Sequence, residues 1–140
     1  MKRATAFLAL MLASFLLVSC SESKATQNEV TIDMRLSRFT PGEFTVASGE
    51  PVTFTLKNGD PIAHEWIVGT DEVHERHRTG TEPFHDSRPT EVTIPAYSTR
   101  VTTVTFDTPG SYVFICHLPG HEAYGMRGTI HVVEKPPSEV

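Results

Sequence analysis

The chain has 140 residues, 39% hydrophobic and 21% charged, with a formal net charge of −5. That is enough for one ordinary domain with its own core and too little for several. An acidic balance of this kind argues against nucleic acid as a partner. In chain order, the first feature is Lys2 and Arg3 followed by the apolar run Ala6 to Val18. The run is shorter than the roughly 18 residues needed to cross a bilayer, so it reads as the core of a secretory signal.

That run ends in Leu17-Val18-Ser19-Cys20, which resembles the bacterial lipobox. The resemblance implies a signal peptide over 1–19 and a diacylated Cys20 as the mature N-terminus. Two acyl chains, at about 0.8 kcal/mol per buried methylene, would hold the protein on a membrane. The expected location is the cell envelope, on a periplasmic or other extracytoplasmic face. With Lys2 and Arg3 removed, ten basic residues face seventeen acidic ones, a balance compatible with a basic redox partner. Cys116 is then the only thiol in an exported domain, where a lone cysteine is a liability unless buried or bound.

Ser21 to Asn28 is polar and without periodicity, so residues 20–28 read as the lipidated cysteine and a flexible tether. From Glu29 the pattern is short strands. Val30, Ile32, Met34 and Leu36 alternate with polar residues, as do Val52, Phe54 and Leu56, and later Thr102, Val104 and Phe106. Asn58-Gly59-Asp60-Pro61 and Thr108-Pro109-Gly110 supply turns. Shorter candidates lie at Glu43–Ser48, Glu65–Val68, Glu91–Ile94, Ser111–Cys116 and Gly128–Val133. Period-two runs of this composition between Gly and Pro signals indicate half-buried strands. About eight of them predict an all-β Greek-key sandwich over residues 29–134, with 135–140 as a tail. Gly69 to Thr90 is too long for an ordinary loop and is expected to hold a short helix around Asp71–Arg78.

The segment from Cys116 to Met126 carries the chemistry. It offers a thiol, then His121 after four residues, then Met126 after four more. Thiolate, imidazole and thioether are donors that suit copper in both oxidation states, and His2Cys with a weak Met is the blue-copper set. Structural zinc sites use Cys, His and carboxylate rather than a thioether. Another ligand must come from elsewhere, and His64 after the Asn58–Pro61 turn is the natural candidate.

With His64 after that turn, the Tyr112–Cys116 strand, the Cys-x4-His-x4-Met loop and the closing Gly128–Val133 strand, residues Glu29 to Val133 resemble a cupredoxin domain of the plastocyanin/azurin type. The resemblance implies one copper per chain held by His64, Cys116, His121 and Met126, with single-electron transfer and no catalysis. It further implies His121 as the partly exposed ligand, and a cytochrome or oxidase as partner to a monomeric, membrane-anchored chain. Ile62, Ala63, Pro119, Ala123 and Tyr124 are candidates for an apolar docking patch. Backbone N–H groups of the Asn58–Pro61 turn are expected to support the Cys116 sulfur. A copper-buffering or copper-delivery lipoprotein would use the same ligands.

Cys116-His117 also resembles the last loop of multicopper oxidases. Ile115 precedes the cysteine, however, and the chain has no His-x-His pair, so an oxidase or nitrite reductase is disfavoured. His117 therefore reads as a structural or surface residue, facing away from Cys116 by strand alternation. His74 and His77, three apart on a helix, and His85 offer a possible second metal site. A solvated polar loop is the preferred reading of that segment. His131 is expected to face solvent, and Met34 and Trp66 to lie in the core.

Overall fold

The computed structural model describes residues 26–80 and 88–135. The expected signal peptide, Cys20, the expected tether up to residue 25, His85 and the expected tail beyond residue 135 lie outside the described residues. In chain order the described elements are β1 Glu29–Arg35, β2 Arg38–Thr40, β3 Glu43–Ala47, β4 Pro51–Asn58, β5 His64–Gly69, α1 Asp71–Arg78, β6 Glu91–Ile94, β7 Thr99–Thr105, β8 Gly110–Ile115 and β9 Arg127–Val133. The strands form two sheets in the orders β2-β1-β4-β7 and β3-β9-β8-β5-β6. The all-β sandwich expected from the sequence is the fold observed.

Alternation decides which side of each strand is buried. Val30, Ile32 and Met34 of β1 point inward, and the residues between them are exposed. The parallel register of β1 on β4 sets Val30 beside Phe54 and Ile32 beside Leu56, giving a continuous apolar face. It packs against Trp66, Phe114 and Ile130 of the other sheet within one core. The rings are in contact, with Phe54 and Trp66 centroids 4.8 Å apart and Phe39 and Phe114 centroids 5.1 Å apart, edge to face. Such pairs add to what burial alone supplies.

Two local features depart from the alternation. Leu36 would continue the apolar face of β1, but it is 89% exposed in the turn between β1 and β2, at φ 53°. The chain reverses there to pair β2 with β1, and β2 is a short strand the alternation does not signal. β5 is buried from His64 to Val68 on both sides, because α1 packs on it. Gly69 permits that approach, since a Cβ there would lie 2.8 Å from the Val73 side chain. The helix spans the expected Asp71–Arg78.

Topology gathers the candidate ligands at one end of the sandwich. His64 opens β5, Cys116 follows the last residue of β8, and Met126 precedes the first residue of β9. Phe114 faces Gly128 across β8 and β9, and a Cβ on Gly128 would come 2.1 Å from the Phe114 ring. The bare backbone of Gly128 thus lets the core ring sit directly below the Cys116–Met126 loop.

Candidate metal centre

His64, Cys116 and His121 converge, with one ligand atom from each lying within 4.8 Å of the others. His121 Nδ1 is 3.1 Å from Cys116 Sγ and 3.3 Å from His64 Nδ1. The other nitrogen of His64, Nε2, donates to Asp60 Oδ2 at 2.9 Å. A carboxylate only accepts, so the His64 proton sits on Nε2 and its bare Nδ1 faces the sulfur and the second imidazole. Two imidazole nitrogens and a sulfur thus face one another, with no carboxylate among the converging atoms. This is the donor chemistry copper prefers, and the residues fit a single copper ion.

The loop between β8 and β9 is held by its own backbone. Cys116 N–H donates to Met126 O at 3.2 Å, Met126 N–H to His121 O at 3.0 Å and His121 N–H to Leu118 O at 3.0 Å. Gly120 and Gly125 adopt positive φ values of 85° and 89°, which glycine takes without steric cost. Met126 is fully buried and tied through its main chain to both Cys116 and His121.

The sulfur receives Glu65 N–H at 3.3 Å. The donor is thus Glu65 rather than the Asn58–Pro61 turn that the sequence suggests, for a simple reason. Cys116 lies against the start of β5, where the first amide past His64 points at it. The turn has other work: Asn58 Nδ2 donates to the carbonyls of Ile62, Ile94 and Pro95, and Asn58 Oδ1 accepts from Asp60 N–H. Burial pushes the Cys116 thiol up to about 11, against the pull of N–H groups of Glu65 and Leu118. At neutral pH the metal-free thiol keeps its proton, so metal binding must displace it. Burial and the neighbouring His64 hold His121 below the usual histidine value, leaving it neutral and able to ligate. Asp60 lies below its ordinary value: burial would raise it, but N–H groups of Ser37 and Leu36 and the His64 ring outweigh that.

His74, His77 and His117 form a second, separate cluster. His74 is 1% exposed, so the solvated-loop reading fails for it. Its Nε2 donates to Val113 O at 3.0 Å, and its Nδ1 therefore accepts from His117 Nε2 at 3.0 Å. His77 stacks on His117 with ring centroids 5.3 Å apart and donates from Nδ1 to Val73 O. Arg78 adds a two-pronged bond to Glu122, at 3.0 and 2.6 Å. Both nitrogens of His74 are thus engaged by the protein, and the cluster docks α1 on the copper loop. His117 points to the helix and Cys116 to the other side, as alternation requires. His131 pairs with Glu43 at 2.8 Å.

This dock should make the protein acid-sensitive. Burial, reinforced by His74, depresses His117 to about 4, and burial depresses His74 too. The unfolded chain takes up these protons near pH 6.5, whereas the folded one resists them. Stability is therefore full above about 6.5 and lost as pH falls toward about 4, by roughly 3 kcal/mol for His117 alone. Urea denaturation at pH 7.5 and pH 4.5 should show that loss, and His117→Gln should flatten it.

Comparisons with known proteins agree with the site. The family described as copper-binding proteins, plastocyanin/azurin family, matches residues 26–133. The copper-resistant cuproprotein CopI of Rubrivivax gelatinosus is 33% identical over 98 residues, covering 68% of this chain and 59% of that protein. The chain thus spans under two thirds of that relative's length. Chloroplastic plastocyanin of Physcomitrium patens is 31% identical over 126 residues, covering 89% of this chain and 67% of that protein. Among solved structures, auracyanin from Roseiflexus castenholzii superposes with a TM-score of 0.67 at 24% identity, covering 78% of this chain and 99% of its own.

Proposed function

We propose that this chain, which belongs to the plastocyanin/azurin family of copper-binding proteins, is a one-electron carrier of the cell envelope and not an enzyme. The observation that carries the reading is the convergence of His64, Cys116 and His121 on one point. When bound, copper supplies the Cu(I)/Cu(II) couple. The chain supplies a fixed frame: His64, Cys116 and Met126 are fully buried, and main-chain bonds lock the loop that bears the last two. A frame that moves little favours electron exchange over metal release. Met126 is assigned as the weak fourth donor.

His121 is the least buried of these residues, and Ile62 at 46% and Tyr124 at 72% exposure stand at the same end of the molecule. With Ala63, Pro119 and Ala123 they make an apolar surface suited to a redox protein such as a cytochrome or oxidase. The signal-like N-terminus and Cys20 support export and lipid anchoring of a monomer. The kinship with a copper-resistance protein supports a second reading, copper buffering or delivery through the same ligands.

The two readings part on one experiment. The copper-loaded protein, reduced and reoxidised repeatedly in the presence of a copper-chelating acceptor, is expected to pass one electron per chain per cycle with its copper retained. Transfer of most of the copper to the acceptor within a few cycles would favour delivery instead.

A further inference from the structure

The non-glycine residues with positive φ among those described are Leu36, Ser37 and Tyr97, each at 53°. Side chains of this size adopt that conformation only where their surroundings impose it. All three bond the same residue. Leu36 N–H donates to Asp60 Oδ1 at 2.8 Å, Ser37 N–H to Asp60 Oδ2 at 2.9 Å, and Tyr97 N–H to the Asp60 carbonyl at 3.2 Å. Consecutive amides turned this way form an anion-binding hollow. Asn58 Oδ1 completes the hold by accepting Asp60 N–H at 2.9 Å.

What the hollow presents is equally specific. The third donor to the carboxylate is His64 Nε2, and His64 is the only side chain within ion-pair distance of Asp60 among the described residues. Leu36 N–H, Ser37 N–H and His64 N–H are all donors, so an amide in place of the carboxylate would turn its NH2 toward at least one of them. The negative charge is therefore wanted at this place, and among the described residues no Lys or Arg pairs with it, although the Arg35 guanidinium lies beside the neighbouring Gly59. His121 differs: its ring hydrogen bonds among the described residues are made from Nδ1 alone.

We propose that Asp60 is a positioning residue that locks His64 as the Nε2–H tautomer and sets a buried negative charge one imidazole away from the metal, lowering the reduction potential. The proposal rests on His64 being a copper ligand. A carboxylate on the far nitrogen makes the near one a stronger donor, and its charge favours the more positive, oxidised metal. Reduction adds one electron and moves no proton.

The test compares wild type, Asp60→Asn and Asp107→Asn, each loaded with Cu(II) and equilibrated at one fixed redox poise. Asp107 follows β7 at the other end of the sandwich, so its variant removes the same formal charge far from the site. Asp60→Asn should keep a visible copper band and raise the reduced-to-oxidised ratio about tenfold, which is 59 mV for a one-electron couple. Asp107→Asn should stay within about twofold, roughly 18 mV on that scale. An Asp60→Asn shift no larger than that of Asp107→Asn, or one toward the oxidised form, overturns the proposal. Should Asp60→Asn fail to fold, nitrogen NMR of the metal-free wild type decides the matter. The Nε2–H form of His64 with a slowly exchanging proton is expected, and the Nδ1–H form overturns it. A wild type without the blue band would instead remove the copper-ligand reading on which the proposal stands.

Discussion

Cys116→Ser protein, offered Cu(II), should show no intense visible absorption and bind the metal at least about a hundredfold more weakly than wild type. Partners that merely support a ligand cost 10–100-fold when removed, so about a hundredfold is a floor for an anionic ligand. The exchange is small in shape and large in chemistry. Cys116 Sγ stands 3.1 Å from His121 Nδ1 and accepts Glu65 N–H, and a serine oxygen can keep the second contact. It cannot become an anion at neutral pH, and it is a hard donor where copper prefers a soft one. The fold should survive, because Cys116 is small and β8 and β9 keep their ladder. Visible spectra and a chelator competition check both points. An intense band retained by the serine protein would refute the thiolate assignment.

Phe114→Ala should lower stability by about 3–5 kcal/mol, a large part of a typical total of about 5–15 kcal/mol. Phe114 is fully buried, and its ring centroid lies 5.1 Å from Phe39, 5.8 Å from Phe44 and 6.4 Å from Trp66. Truncation empties the centre of that group, and Gly128 opposite has no side chain to fill the space. Phe114 shares its face of β8 with Cys116, so the loss should reach the metal site as weaker copper retention. Urea unfolding of the metal-free protein measures the first effect. A loss below about 1 kcal/mol would mean that the surroundings collapse into the gap, contrary to what a well-packed core allows.

Most of the frame is legible because a strand advertises itself twice, by period-two burial and by the turn residues that end it. β1, β4 and β9 follow that code residue by residue. The ligand loop is legible for another reason: thiol, imidazole and thioether at fixed spacing serve little purpose without a soft metal. What stays hidden depends on contacts between distant segments. Leu36 keeps the alternation of β1 but lies in a turn, because Asp60 draws its amide and that of Ser37 inward. Asp60 itself sits in an Asn-Gly-Asp-Pro stretch that reads only as a break. The sulfur's N–H donor follows from how β5 and β8 face each other, which spacing does not encode. His74 looks like a polar loop residue until Gly69 brings α1 close enough for its ring to meet that of His117. In sequence, its one signal is its place three residues before His77 on a short helix.

The most direct measurement is a visible spectrum of the purified domain loaded with Cu(II) and titrated with a one-electron reductant. The arrangement of His64, Cys116 and His121 predicts an intense blue absorption at one copper per chain, bleached by one electron equivalent and restored on reoxidation. A colourless protein that takes up Cu(II), or a bleaching that needs more than one equivalent per chain, would contradict it.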